Sequence, residues 1–113
     1  MRVWALLVLL SVVPGISSKF LELRVDVDFP GDDIQQISSP DAYHCQLACT
    51  EHSSCLFFTF VRSDWAVDNR NFYCYLKYTA NGVPSKVSAL KGVTSGFSLS
   101  RLGYKTGFCQ SYN

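Results

Sequence analysis

After Val13 this 113-residue chain has no apolar run long enough to cross a membrane, because a helical span needs roughly 20 apolar residues. It has no Asn-x-Ser/Thr sequon, so N-glycosylation is not expected. It has no Gly-x-Ser-x-Gly, no phosphate-cradling glycine loop and no room for a protease domain, and its scattered aspartates do not make the carboxylate pair of a glycosidase. The expectation is a chain without catalytic residues and without a cofactor. There is no internal repeat and no low-complexity tract. There is also no acidic residue after Asp68, although Arg70, Lys77, Lys86, Lys91, Arg101 and Lys105 follow it, while Glu22, Asp26, Asp28, Asp32, Asp33 and Asp41 crowd the front. Such a segregation suits either solvated strand faces and loop tips or one surface for an anionic polymer such as a sulfated glycan. Nucleic acid is not expected for a chain whose net charge is only +1.

The amino terminus has one base, Arg2, ahead of the apolar stretch Ala5–Val13, followed by Pro14-Gly15-Ile16-Ser17. That is the pattern of a secretory signal peptide, residues 1–17. Its removal takes one of ten bases and no acid, leaving nine against nine. Secretion sets an oxidising compartment, so the five cysteines are expected as disulfides rather than as thiols or metal ligands. One small domain fits the length, and bridges should supply much of its stability.

The densest stretch is Tyr43–Cys55, with three cysteines. Cys45 and Cys49 lie four apart and share one face of a helix. Ser38-Ser39-Pro40-Asp41 opens that helix, with a serine N-cap, proline at the first helical position and Asp41 in the first turn; it should run from Pro40 to Glu51 or His52. Ala42, Cys45, Ala48 and Cys49 would form its small inward face. Ahead of it, Leu21–Val27 reads as a strand with positions 21, 23, 25 and 27 inward, residues 29–33 as a turn, and Ile34–Ile37 as a short extended piece. Leu56–Val61 is apolar on both faces, Leu56, Phe58 and Phe60 on one and Phe57, Thr59 and Val61 on the other, which suits a central strand with the helix on one side. Residues 62–71 form a polar loop around Trp65. Phe72–Tyr78 is the next strand, Asn81-Gly82 sits in a hairpin turn, Lys86–Leu90 is a brief strand, and Val93–Leu99 is the last, after a turn at Lys91-Gly92.

These residues resemble the apple subgroup of PAN modules, found in plasma prekallikrein, coagulation factor XI and related fish lectins. The likeness rests on Phe29-Pro-Gly-Asp-Asp33, Tyr43-His-Cys-Gln-Leu-Ala-Cys49, Cys55-Leu-Phe-Phe-Thr-Phe60, Tyr73-Cys-Tyr-Leu-Lys77, Gly82-Val-Pro84 and Val93-Thr-Ser-Gly-Phe-Ser-Leu99. It implies an α+β fold over residues 18–102, a curved antiparallel sheet of about five strands cradling one helix, stapled by Cys45–Cys74 and Cys49–Cys55. A third bridge usual in the family would need cysteines near Lys19 or Phe20 and near Leu102, and this chain has none there. Cys109 stands at the spacing of a following module's first cysteine, so residues 103–113 are either a tail or the truncated start of another module. Otherwise Cys109 is a thiol able to link two chains into a homodimer.

A zinc site from His44, Cys45, Cys49, His52 and Cys55 is outweighed by oxidation of the cysteines, so no metal is expected. What remains is recognition of an extracellular protein or glycan. The loop residues Arg62, Asp64, Trp65, Asn69 and Arg70 are the candidate ligand contacts, because tryptophan and arginine are frequent binding anchors and tryptophan stacks on sugar rings. Trp65 could instead fold back over the sheet edge against Phe72 or Tyr73. Lys77, Lys86, Lys91 and Arg101 form a second candidate set, for a heparin-like polyanion. The resemblance offers an alternative to a free-standing binding module: the amino-terminal piece of a kallikrein- or factor XI-like serine-protease zymogen, docking a substrate or cofactor.

Overall fold

A computed structural model of the chain describes residues 22–100. The expected signal peptide, Arg101 and Cys109 lie outside that range. Five strands and one helix follow in the order β1 (Arg24–Asp28), β2 (Asp33–Ser38), α1 (Ala42–Glu51), β3 (Phe57–Val61), β4 (Tyr73–Lys77) and β5 (Ser88–Phe97). The sheet order is β1-β5-β3-β4-β2, with every pairing antiparallel, so β3 holds the centre as its two apolar faces require. This is the disulfide-stapled α+β arrangement that the resemblance implies.

Helix α1 begins at Ala42, two residues later than the serine-and-proline pattern suggests. Asp41, not serine, is the N-cap, its side chain accepting from the His44 N–H at 2.8 Å. Asp caps as well as Ser does, and its carboxylate reaches the third helical residue directly. Ser39 instead donates from Oγ to the Asp41 carbonyl at 2.8 Å, leaving Pro40 ahead of the cap. The inward face carries Cys45 and Cys49, with Ala42 and Ala48 packed beside them. It also carries Gln46, buried and donating to the Phe97 carbonyl at 2.9 Å, a contact that helical periodicity of apolar residues does not signal. Bridges Cys45–Cys74 and Cys49–Cys55 join the helix to β4 and to the chain entering β3.

Parity then divides the sheet. Phe58, Phe60 and Leu76 point to the helix and complete a core with the four bridged cysteines. Gly96 lies opposite Phe58 because a Cβ there would sit 3.0 Å from the Phe58 ring. On the second face are Phe57, Thr59 and Val61 of β3 with Val93 of β5. Phe29 closes one end of that face against Phe57 and Phe97, with ring centroids 5.6 and 5.4 Å away.

Three expectations are corrected. Val25 does not point inward but is 64% exposed, because a bulge between Val25 and Val27, with Asp26 at φ 60°, breaks the alternation. The separate strands expected before and after Lys91-Gly92 are one strand, β5, passing through Gly92 at φ 98°. Asn81-Gly82 does not join a hairpin, since β3 lies between β4 and β5. It makes a local turn, with Gly82 N–H donating to Thr79 O at 3.1 Å, inside a connection that crosses to the far side of β3.

Candidate functional site

The loop between β3 and β4 is tied down at each end. Arg62 reaches across β5 to the β1 bulge: one terminal nitrogen donates to Asp26 at 2.6 Å, the other to the Val93 carbonyl and to Thr94 Oγ1 at 2.8 Å, and Nε donates to Asp64 at 3.0 Å. Asp26 also accepts from the Gly92 N–H at 3.0 Å. The bulge turns Asp26 so that its carboxylate meets both donors. The Arg62 guanidinium and the Gly92 N–H hold the Asp26 carboxyl below its ordinary range, and Arg62 does the same to Asp64. The guanidinium is in turn stabilised by Asp64 first and Asp26 second. At the other end Asn71 donates from Nδ2 to the carbonyls of Arg62 at 3.1 Å and Trp65 at 2.8 Å.

Between these anchors Trp65 turns inward and is 7% exposed, packed on Val61 and Val93. Gly92 makes the seat possible: a Cβ there would lie 2.9 Å from Trp65 Cε3 and 3.2 Å from its Cα. The indole Nε1 donates to Asp68 at 2.7 Å. Arg70 lies over the indole at 5.4 Å from the ring centroid and donates from Nε to the same Asp68 carboxylate at 3.0 Å. Arg70 first, and Trp65 second, lower the Asp68 pKa to about 2. An unfolded chain takes up this proton near 3.8 and the folded chain only near 2, so below 3.8 the unfolded state binds more protons and acid disfavours the fold. The contribution is complete above 3.8 and is lost as pH falls through about 2. Trp65 is the single tryptophan of residues 18–113, so the fluorescence of that span reports this seat. In acid titrations Asp68→Asn should unfold with a shallower pH dependence than the wild type over that window; identical profiles would remove Asp68 from the explanation.

Beside Trp65 the second face opens into a pocket of about 360 Å³. Its floor is Thr59 and Val61 of β3 with Val93 of β5. Trp65 and Arg70 form one wall, and Tyr75 and Lys77 of β4 another. Asp28, Pro30, Gly31, Asp33 and Leu90 complete the rim. The floor is itself tied together: Thr59 Oγ1 and Ser95 Oγ lie 2.8 Å apart, and Ser95 donates to the Val27 carbonyl. Lys77 is 3% exposed, donating to the Gly31 carbonyl at 2.8 Å and paired with Asp33.

The structure therefore distributes the residues named from sequence. Trp65 and Arg70 reach the pocket, Trp65 as a packed wall rather than a projecting anchor. Arg62 and Asp64 brace the loop, and Asn69 is exposed outside the pocket lining. The basic set is split: Lys77 is turned into the fold and neutralised by Asp33, which corrects its placement on an exposed anionic-polymer surface, while Lys86 and Lys91 remain exposed. Arg101 and Cys109 lie outside the described residues. Cys45, Cys49, Cys55 and Cys74 are all bridged, so none of the four is available to a metal. Thr59, Tyr75, Leu90 and Asp28 were missed. The first was legible as belonging to the Phe57-Thr59-Val61 face, but nothing in the sequence joined that face to Asp28, more than thirty residues earlier.

The model of the PAN domain family matches residues 27–77. Coagulation factor XI of Bos taurus is 37% identical over 79 residues, which cover 69% of this chain and 13% of that protein. The chain thus spans a small fraction of the length of this relative. The matched segment contains α1, β3, β4, both bridges and most of the pocket lining. On this fold, these bridges and these matches, the chain belongs to the PAN-domain family.

Proposed function

We propose that the chain is a secreted, non-catalytic apple module that binds an extracellular protein or glycan in the pocket of its second sheet face. The single observation that carries this reading is the pocket itself, a concavity with an aromatic wall, a braced floor and charged groups at its rim, on the face the helix leaves open. The bridges and the amino-terminal pattern support secretion. Arrays of extracellular-protein peptides and of glycans, probed with the full chain, test it. A genuine ligand should lose at least about tenfold in affinity with Leu90→Arg, which fills the rim with a charged side chain. It should be unaffected by Tyr43→Ala, which alters the exposed helix at 46% exposure. A ligand lost with Tyr43→Ala and kept with Leu90→Arg would place recognition elsewhere.

Lys86 and Lys91 keep a heparin-like ligand as a subsidiary reading, weakened by the burial of Lys77. A second reading is favoured by the relative, of which this chain spans only 13%. In it the same module docks a substrate or cofactor within a longer kallikrein- or factor XI-like serine-protease zymogen. A blot of the native secretion decides between them, a reduced band several modules larger supporting the zymogen. Doubling of a one-module band without reductant would support a homodimer bridged through Cys109.

A further inference from the structure

We infer that the pocket receives the cationic side chain of a lysine or arginine presented by a partner protein. This rests on the reading that the pocket is the ligand site. Four charged groups, two of each sign, line it: Asp28, Asp33, Arg70 and Lys77. Three are already matched within the fold. Lys77 is paired with Asp33, and Arg70 with Asp68, whose carboxylate stands just behind the Trp65 wall. The side chain of Asp28 takes no ion pair or hydrogen bond among the described residues, so the pocket presents one uncompensated carboxylate. An entering anion would meet that charge with no unmatched cation to receive it. A neutral sugar would leave it unpaired and partly desolvated, which is unfavourable.

A basic side chain fits both parts of the site. Its aliphatic stem would lie along Leu90, Val93 and the edge of Trp65, and its charged end would pair with Asp28. The existing cations do not compete for that place. Arg70 is held over the indole by Asp68, and Lys77 lies near the Tyr75 ring at 5.6 Å while bonded to Asp33 and Gly31.

The test titrates the full chain, isotope-labelled and with both bridges intact, with n-butylammonium, n-butanol and butyrate, following amide resonances and the Trp65 indole. Butylammonium should shift Thr59, Leu90 and the Trp65 indole saturably, with half-saturation at about 10 mM as suits so small a ligand. Asp28→Asn should weaken it about tenfold while the spectrum stays that of a folded chain. Butanol and butyrate should bind at least about tenfold more weakly. Butyrate or butanol saturating the pocket as well as butylammonium would overturn the inference and leave the pocket as the ligand site. No saturable shift at the pocket with any of the three would overturn both. The wild-type comparison stands even if the Asp28 variant fails to fold.

Discussion

Gly92→Ala is expected to lower stability by about 3 kcal/mol and to unseat Trp65. Two costs add at this one position. A residue with a side chain at φ 98° is strained by about 1–2 kcal/mol. The new Cβ would also meet Trp65 at 2.9 Å on its ring and 3.2 Å on its Cα. The ring contact could be relieved by rotation, but the backbone contact cannot, and overpacking of this kind costs about 1–3 kcal/mol. Gly31→Ala is the natural control, because Gly31 has φ 77° but nothing within 4 Å of the added carbon, so only the backbone cost remains. Urea unfolding followed by Trp65 fluorescence should give Gly92→Ala a midpoint well below that of Gly31→Ala and a red-shifted native emission. Equal midpoints would mean that close approach to Gly92 does not seat the tryptophan.

Removing the Cys45–Cys74 bridge with paired alanines should cost about 3–4 kcal/mol, since it frees a loop with a sequence separation of 29. Both residues are fully buried among Phe58, Phe60 and Leu76, so the lost sulfurs also leave space in the core. The Cys49–Cys55 bridge closes a separation of only 6 and should cost about 2 kcal/mol on the same chain-entropy estimate. For a small domain whose total stability is about 5–15 kcal/mol, the first loss is a large share. It acts on the joint between α1 and β4, one wall of the pocket, so ligand affinity should fall with it at temperatures near the new midpoint. Calorimetry of the two paired variants checks the order; a larger loss for Cys49–Cys55 would contradict the loop argument.

The helix and the central strand were legible because their signals are local. Two cysteines four apart define a helical face, and Leu56–Val61 shows both of its apolar faces within six residues. The bridge pairing came through the resemblance, because spacing alone leaves the connectivity open. What stayed hidden depends on partners distant in sequence. Nothing near Asp26 announces that it will turn to meet Arg62 and Gly92, 36 and 66 residues away, and so break the strand alternation. Asn81-Gly82 gave an honest turn signal but not the identity of the strands beside it, because β3 had already taken the place between them. Trp65 shows the same limit. Its polar neighbours suggested an exposed loop, yet those neighbours, Asp68 and Arg70, are what cover the ring and satisfy its N–H. The site lies beside the loop singled out from sequence, on the sheet face that Thr59, Tyr75 and Lys77 share by parity.

The most direct test is an amide-resonance map of the labelled chain with the tightest ligand from the arrays. Recognition by the second sheet face predicts the largest changes at Thr59, Tyr75, Lys77 and Leu90 and in the Trp65 indole, with the outer side of Ala42–Glu51 silent. Changes centred on the helix surface or on residues 34–38 of the edge strand, with the pocket unchanged, would contradict it.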